Sequence, residues 1–234
     1  MRVRTLGLIG GMSWESTIPY YRQINETVKA RLGGLHSAHL VLYSVDFQEI
    51  ERLQHAGQWD AAGERLAQAA YRLQGAGAQG LVLCTNTMHK VAPQIEAAVG
   101  IPLLHIADPT AAAIRAAGLS RVGLLGTRFT MEEDFYRARL AERHGLDVLI
   151  PTPEDRDTVH RIIYDELCLG DIRPASREAY LAVIGRLRAA GAECIILGCT
   201  EISLLVAPHH VPDLPLFDTT QLHAVHAAEW SLRP

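Results

Sequence analysis

Two cysteines open two similar turns, Cys84-Thr85-Asn86-Thr87 and Cys199-Thr200-Glu201. Each follows a short apolar run, Leu81-Val82-Leu83 in one case and Ile195-Ile196-Leu197-Gly198 in the other, and each precedes a segment of helical pattern. A strand that ends in a thiol and passes through hydroxyl side chains into a helix N-terminus favours a thiolate, because the open N–H groups and the helix dipole stabilise negative charge. The same N–H groups offer an anion site. Two such thiols suit one reaction above others. Inverting a carbon centre takes a base on one face and an acid on the other, and a thiolate and a thiol exchange those roles with direction. The charge that develops as the Cα proton leaves needs donors, and Thr85, Asn86, Thr87, Thr200 and the nearby N–H groups would supply them.

Other chemistries fit these residues less well. Cys84 alone would be a nucleophile in need of a histidine base. His89, five residues further along a helix, reads as structural or solvent-facing, while His105 at a strand end stays open between the two roles. His209-His210 and His223/His226 have no carboxylate or cysteine beside them in a metal pattern and read as surface histidines, so no metal is expected. Gly10-Gly11-Met12-Ser13 lacks the glycine spacing and the lysine of a nucleotide loop, and reads as a turn that lets a small ligand approach the backbone. The lysines are Lys29 and Lys90, neither well placed for a Schiff base, which disfavours a pyridoxal cofactor. Cys168, in an amphipathic helix, and Cys194, opening a strand, read as core.

The elements that must position the two thiols alternate along the chain. Strands are expected at Leu6–Ile9, Leu40–Val45, Leu81–Cys84 and Ile101–Leu104, with helices over 14–32, 60–74, from the Cys84 turn to about Val99, and up to Ala117. The N-terminal Met1-Arg2-Val3-Arg4 enters the first strand at once. The pattern then restarts, with strands at Val122–Gly126, Val148–Ile150, Cys194–Leu197 and Leu214–Phe217 and helices over 131–144, 155–169, 176–190 and from Asp218-Thr219 to about Trp230. Continuous apolar strands between helices imply parallel sheets covered on both faces. Gly7–Gly11 matches Gly123–Gly126, Leu81–Thr85 matches Ile196–Thr200, and His105–Asp108 matches Leu216–Asp218, so the α/β unit is duplicated. Parallel sheets bind ligands beyond the C-terminal ends of their strands, where Cys84, Cys199 and Gly10–Ser13 all fall.

The whole chain narrows the class. Its 234 residues are 48% hydrophobic and 21% charged with a net charge of −4, which suits a soluble enzyme and gives no reason to expect nucleic acid or an anionic membrane surface as partner. No apolar run reaches the roughly 18 residues of a spanning helix. The first apolar run is too short for a signal peptide, so a cytoplasmic location with reduced cysteines is expected.

These motifs resemble the aspartate/glutamate racemase family, most of all its broad-specificity amino-acid racemase branch. The resemblance runs from end to end: GLIGGMSWEST (Gly7–Thr17), Tyr20-Tyr21, SVDF (Ser44–Phe47), LCTNTMHK (Leu83–Lys90), LGTRFTME (Leu125–Glu132), ELCLG (Glu166–Gly170) and GCTEI (Gly198–Ile202). It implies two pseudo-symmetric α/β lobes, each a parallel four-stranded sheet covered by helices, with the active site in the cleft between them. The lobes are expected as 1–105 plus 211–234, and 106–210. It also implies an amino-acid substrate, no cofactor, a homodimer, and Cys84 and Cys199 as acid and base. By the same resemblance Met12 lines the substrate, Thr85, Asn86 and Thr87 bind its carboxylate, Thr200 and Glu201 form the partner turn, Gln54 reaches the pocket, and Thr127 with Thr130 belongs to the second-lobe glycine turn.

One departure bears on the substrate. Aspartate-specific members resemble one another in a lysine near where this chain has Asp165-Glu166, and in an arginine near Arg52. An acidic pair there would repel a side-chain carboxylate, so neutral or polar amino acids are expected rather than aspartate alone. Alternatives are an aspartate/glutamate-specific racemase, a hydantoin racemase, or a maleate isomerase in which one cysteine is a covalent nucleophile. From another class, a non-catalytic amino-acid-binding module is opposed by the presence of both cysteines.

Overall fold

The computed structural model describes residues 3–233, so Met1 and Arg2 of the expected N-terminal run lie outside it. The chain divides into two compact units, one running up to His105 and resuming at His223, the other comprising Ile106–Leu222.

The first unit is built on β1 (Leu6–Gly10), α1 (Trp14–Leu32), β2 (Leu40–Ser44), α2 (Phe47–His55), α3 (Trp59–Gly75), β3 (Gly80–Leu83), α4 (Ala92–Ala97) and β4 (Leu103–Leu104). Its strands are all parallel, in the order β2-β1-β3-β4. The side-chain period of two sorts the core. Leu6, Leu8, Val82 and Cys84 face one way, onto Tyr20, Ile24 and Val28 of α1, whereas Ile9, Leu81 and Leu83 face the other, onto Leu66, Ala69 and Leu73 of α3. Both faces being buried explains why the strands read as unbroken apolar runs. Each fully buried aliphatic side chain contributes about 1.5–3 kcal/mol.

After β1 the backbone turns at Gly11, whose φ of +91° is open to glycine and strained for other residues. Ser13 then caps α1, its side chain accepting from the Ser16 N–H. The helix α2 is absent from the sequence reading; Asp46 caps it by accepting from the Gln48 N–H at 3.1 Å.

The second unit repeats the plan with α5 (Ala107–Ala116), β5 (Arg121–Gly126), α6 (Arg128–Glu132), α7 (Asp134–Ala138), β6 (Asp147–Leu149), α8 (Pro153–Asp165), α9 (Pro174–Ala189), β7 (Cys194–Gly198), α10 (Ile202–Leu205) and β8 (Leu216–Asp218). Its parallel sheet has the order β6-β5-β7-β8, the same permutation as in the first unit. The last helix, α11 (Thr219–Leu232), carries the chain back.

Three expectations are corrected. Residues 211–222 belong to the second unit, because β8 pairs with β7 through Ile195–Leu216, Ile196–Phe217 and Leu197–Asp218 and completes that sheet. The single helix expected after Cys84 is a 3₁₀ stretch, Thr87–Val91, followed by α4, with Pro93 in the first turn of α4 where its missing N–H costs nothing. The helix expected over 131–144 is broken into α6, α7 and a π-type stretch, Arg139–Arg143.

Candidate active site

In the first unit, β3 delivers Cys84 to the C-terminal end of the sheet. The Cys84 N–H donates to the Ile9 carbonyl at 2.9 Å, which extends the β1–β3 ladder by one residue. The thiol is fully buried, and burial pushes its pKa well above the ordinary thiol value. Thr85, Asn86 and Thr87 are buried around it. Met12, from the first turn, shares a core cluster with Leu53 and Met88. Gln54 is buried beside them, its Nε2 donating to the Met88 sulfur at 2.9 Å. The structure therefore brings Met12, Gln54 and the segment after Cys84 together.

The histidines depart from their sequence reading. His89 does not face solvent: it is 2% exposed, and its Nδ1 lies 2.7 Å from the Thr85 carbonyl, back along the same turn. His223 is not a surface residue either. It is fully buried, between the Tyr20 hydroxyl and the Leu104 carbonyl. The one local signal for His89 is its spacing of four from Thr85, which suits a side chain reaching back to a carbonyl.

In the second unit, β7 delivers Cys199 to the equivalent strand end. The Cys199 thiol donates to Glu201 Oε2 at 2.9 Å, and the Thr200 hydroxyl donates to the same oxygen at 2.8 Å. All three residues are buried, Glu201 to within 2%. Burial is the main reason that the Cys199 pKa lies well above the ordinary value, and the negative charge of Glu201 adds to it. Thr127 is the N-cap of α6. Its hydroxyl accepts from the Thr130 N–H at 3.3 Å and lies 3.2 Å from the Thr130 hydroxyl. Gly126 and Gly198 face each other in the β5–β7 register. A Cβ on Gly198 would stand 2.8 Å from the Leu125 carbonyl and from Leu124 Cδ1, so glycine is what lets the cysteine turn leave the sheet here.

The expectation of helix-stabilised thiolates is overturned in both units. A 3₁₀ stretch that runs on into the six-residue α4 follows the first turn and a four-residue helix follows the second, so neither turn opens a long regular α-helix. Desolvation then decides, and it pushes both thiol pKa values above the ordinary range.

The acidic pair is also not what its sequence implies. Asp165 is exposed, whereas Glu166 is buried and accepts from the Ser176 hydroxyl at 2.5 Å, with Arg161 at 3.7 Å and Arg173 at 3.6 Å. Arg52 is exposed. The interior around Tyr180 is acidic: burial raises its phenol pKa, and Cys199, Cys168, Glu201 and Glu166 raise it further. Among the described residues no cluster of His, Cys, Asp and Glu side chains forms a metal site, and no helix is long and apolar enough to cross a membrane.

The sequence pattern that defines the Asp/Glu/hydantoin racemases matches residues 9–227. The chain belongs to that family. It is an enzyme of the racemase type. The racemase is 59% identical to a Yersinia pestis protein provisionally described as an Asp/Glu racemase, with a TM-score of 0.89 over 98% of this chain and 100% of the other. It is 32% identical to an aspartate racemase homologue from Pyrococcus horikoshii OT3, with a TM-score of 0.83 over the full length of both. In sequence it is 22% identical over 223 residues to the broad-specificity amino-acid racemase RacX of Bacillus subtilis (strain 168), covering 92% of each chain.

Proposed function

We propose that this racemase interconverts the L and D forms of free amino acids by a two-base proton transfer without a cofactor, with Cys84 and Cys199 as the acid–base pair. The observation that carries this reading is topological. Each unit places one buried thiol at the C-terminal end of the strand that is third in its sequence order and pairs with its first, β3 beside β1 and β7 beside β5.

The chemistry follows from the two environments. Glu201 takes the Cys199 proton, so Cys199 becomes the thiolate without release of a proton to water. The thiolate sulfur then takes the Cα proton. The C–H bond breaks, an S–H bond forms, and the electron pair moves from Cα into the substrate carboxylate. Thr85, Asn86 and Thr87 bear that charge. Cys84, held neutral by burial, delivers its proton to the opposite face of Cα. For the other enantiomer the same steps run backwards: the Cys84 thiolate left by the forward transfer takes the Cα proton, Cys199 gives its proton to the opposite face, and Glu201 returns its proton to the Cys199 thiolate so formed.

The substrate is a broad set of neutral and polar amino acids. The similarity to RacX supports this reading. Selectivity for aspartate and glutamate is the second reading, favoured by the names of the two structural relatives. Free cysteines at both strand ends support the reading of a cytoplasmic enzyme, since thiols stay reduced in that compartment. The homodimer implied by the family resemblance is tested by mass measurement in solution.

The experiment is α-proton exchange in D₂O, followed by NMR over acidic, neutral and basic amino acids of both hands, without pyridoxal phosphate. Cys84→Ser and Cys199→Ser run beside the wild type. Exchange with inversion, abolished or made one-sided by either serine, supports the two-thiol reading. Aspartate turning over fastest moves the second reading to the front. No exchange with any amino acid overturns both and points to hydantoins or maleate, and a substrate adduct on Cys84 identifies the maleate case.

A further inference from the structure

Three buried imidazoles, His89, His105 and His223, lie together beside the Cys84 turn. We infer that one of them, His89, is a positioning residue that aims the Asn86 N–H at the substrate carboxylate. This rests on the amino-acid racemase reading of the same site.

The Thr85 carbonyl can only accept, so at 2.7 Å it is His89 Nδ1–H that donates to it. The backbone N–H of His89 donates to the next carbonyl, that of Asn86, at 3.0 Å. His89 therefore holds two consecutive carbonyls of the turn on its own side. In a planar trans peptide the C=O and the following N–H point in opposite directions. Pinning the Thr85 carbonyl toward the imidazole turns the Asn86 N–H away from it.

The imidazole is itself held in place. Its ring lies against His105, centroids 4.4 Å apart and tilted by 58°, and 6.0 Å from the His223 ring. His223 is fixed at both nitrogens. The Leu104 carbonyl accepts from its Nε2–H at 2.7 Å, and its Nδ1 lies 2.9 Å from the Tyr20 hydroxyl. His105 follows β4 and His223 lies on α11, so elements far apart in sequence converge on one ring. A buried polar ring costs free energy that leucine would not, and the hydrogen bond to the Thr85 carbonyl offsets part of that cost.

The test exploits the two nitrogens. In His89→Asn the amide nitrogen takes nearly the place of Nδ1 and still reaches the Thr85 carbonyl. In His89→Gln the amide nitrogen takes nearly the place of Nε2 and does not. With purified full-length enzyme and α-proton exchange as the assay, His89→Asn keeps KM within about threefold of wild type. His89→Gln raises KM about 10- to 100-fold, as the loss of one hydrogen bond to a charged group requires, and lowers kcat as well, because the same N–H bears charge that develops on the carboxylate. A role in packing alone would not separate the two variants in this order. Equal KM values, or a higher KM for Asn than for Gln, overturn the inference while leaving the racemase reading intact. A wild type that exchanges no α-proton removes that reading and the inference with it.

Discussion

The Cys199 thiol donates to Glu201 Oε2 across 2.9 Å inside the second unit. The carboxylate has two opposed effects. It is an acceptor poised to take the thiol proton, and its charge disfavours a thiolate that forms while the carboxylate stays ionised. Handing the proton from sulfur to carboxylate removes that conflict, since the charge moves and is not doubled. Glu201→Gln keeps the shape and removes the base. We expect kcat/KM to fall about 100-fold. It must fall alike in both directions, because the equilibrium constant between enantiomers is unity. Initial rates from each enantiomer check this, and an undiminished rate contradicts the role of Glu201.

The same variant should gain a pH dependence. In wild type the Cys199 proton moves within the site, so activity changes little from about pH 7 to about pH 9. In Glu201→Gln the thiol must ionise to solvent. Burial, the largest cause of its raised pKa, is still there. Raising the pKa lowers the thiolate fraction at neutral pH, and that fraction grows with pH. The rate of Glu201→Gln therefore climbs about tenfold per pH unit over this range. Parallel profiles for the two enzymes would show that Glu201 does not take the proton.

Gly198→Ala tests the close approach under the second thiol. Its Cβ would meet the Leu125 carbonyl, a backbone atom that cannot swing aside. We expect a loss of about 1–3 kcal/mol in denaturant unfolding, and reduced activity because the Cys199 turn shifts. Gly185→Ala is the control. It lies on α9 with nothing within 4 Å of the new Cβ, and should raise stability by about 0.5–1 kcal/mol.

Asp108 ties α5 to the segment after α7. Arg139 donates to both its carboxylate oxygens at 2.7 Å, and His144 Nε2 lies 3.1 Å away. Burial alone would raise the Asp108 pKa, but the Arg139 and His144 bonds outweigh it and the pKa is lowered. A carboxylate with a depressed folded pKa contributes stability above its unfolded pKa and loses it as pH falls through the folded value. Asp108→Asn should therefore cost about 1–2 kcal/mol at neutral pH, discounted for its partial exposure, and the difference from wild type should shrink in acid. Urea unfolding across the acid range reads this directly, and a cost that is constant with pH would contradict it.

Much of this enzyme is legible in the order of its residues. Apolar runs alternating with helical patterns predict two sets of four parallel strands, because strand and helix periods are local. Cys84 and Cys199 stand out for the same reason: each ends an apolar run and opens a turn of hydroxyl and polar side chains. Other features belong to the tertiary structure. His89, His105 and His223 meet although the last lies over a hundred residues beyond the others, and no local pattern reports that meeting. Glu201 reads in sequence as part of a binding turn, yet its side chain folds back onto Cys199. Most of all, burial pushes both thiol pKa values up where the sequence predicts helix termini that lower them. Charge stabilisation by a helix depends on its length and desolvation on how deeply the side chain is covered, and both were decided when the sheets acquired their helices.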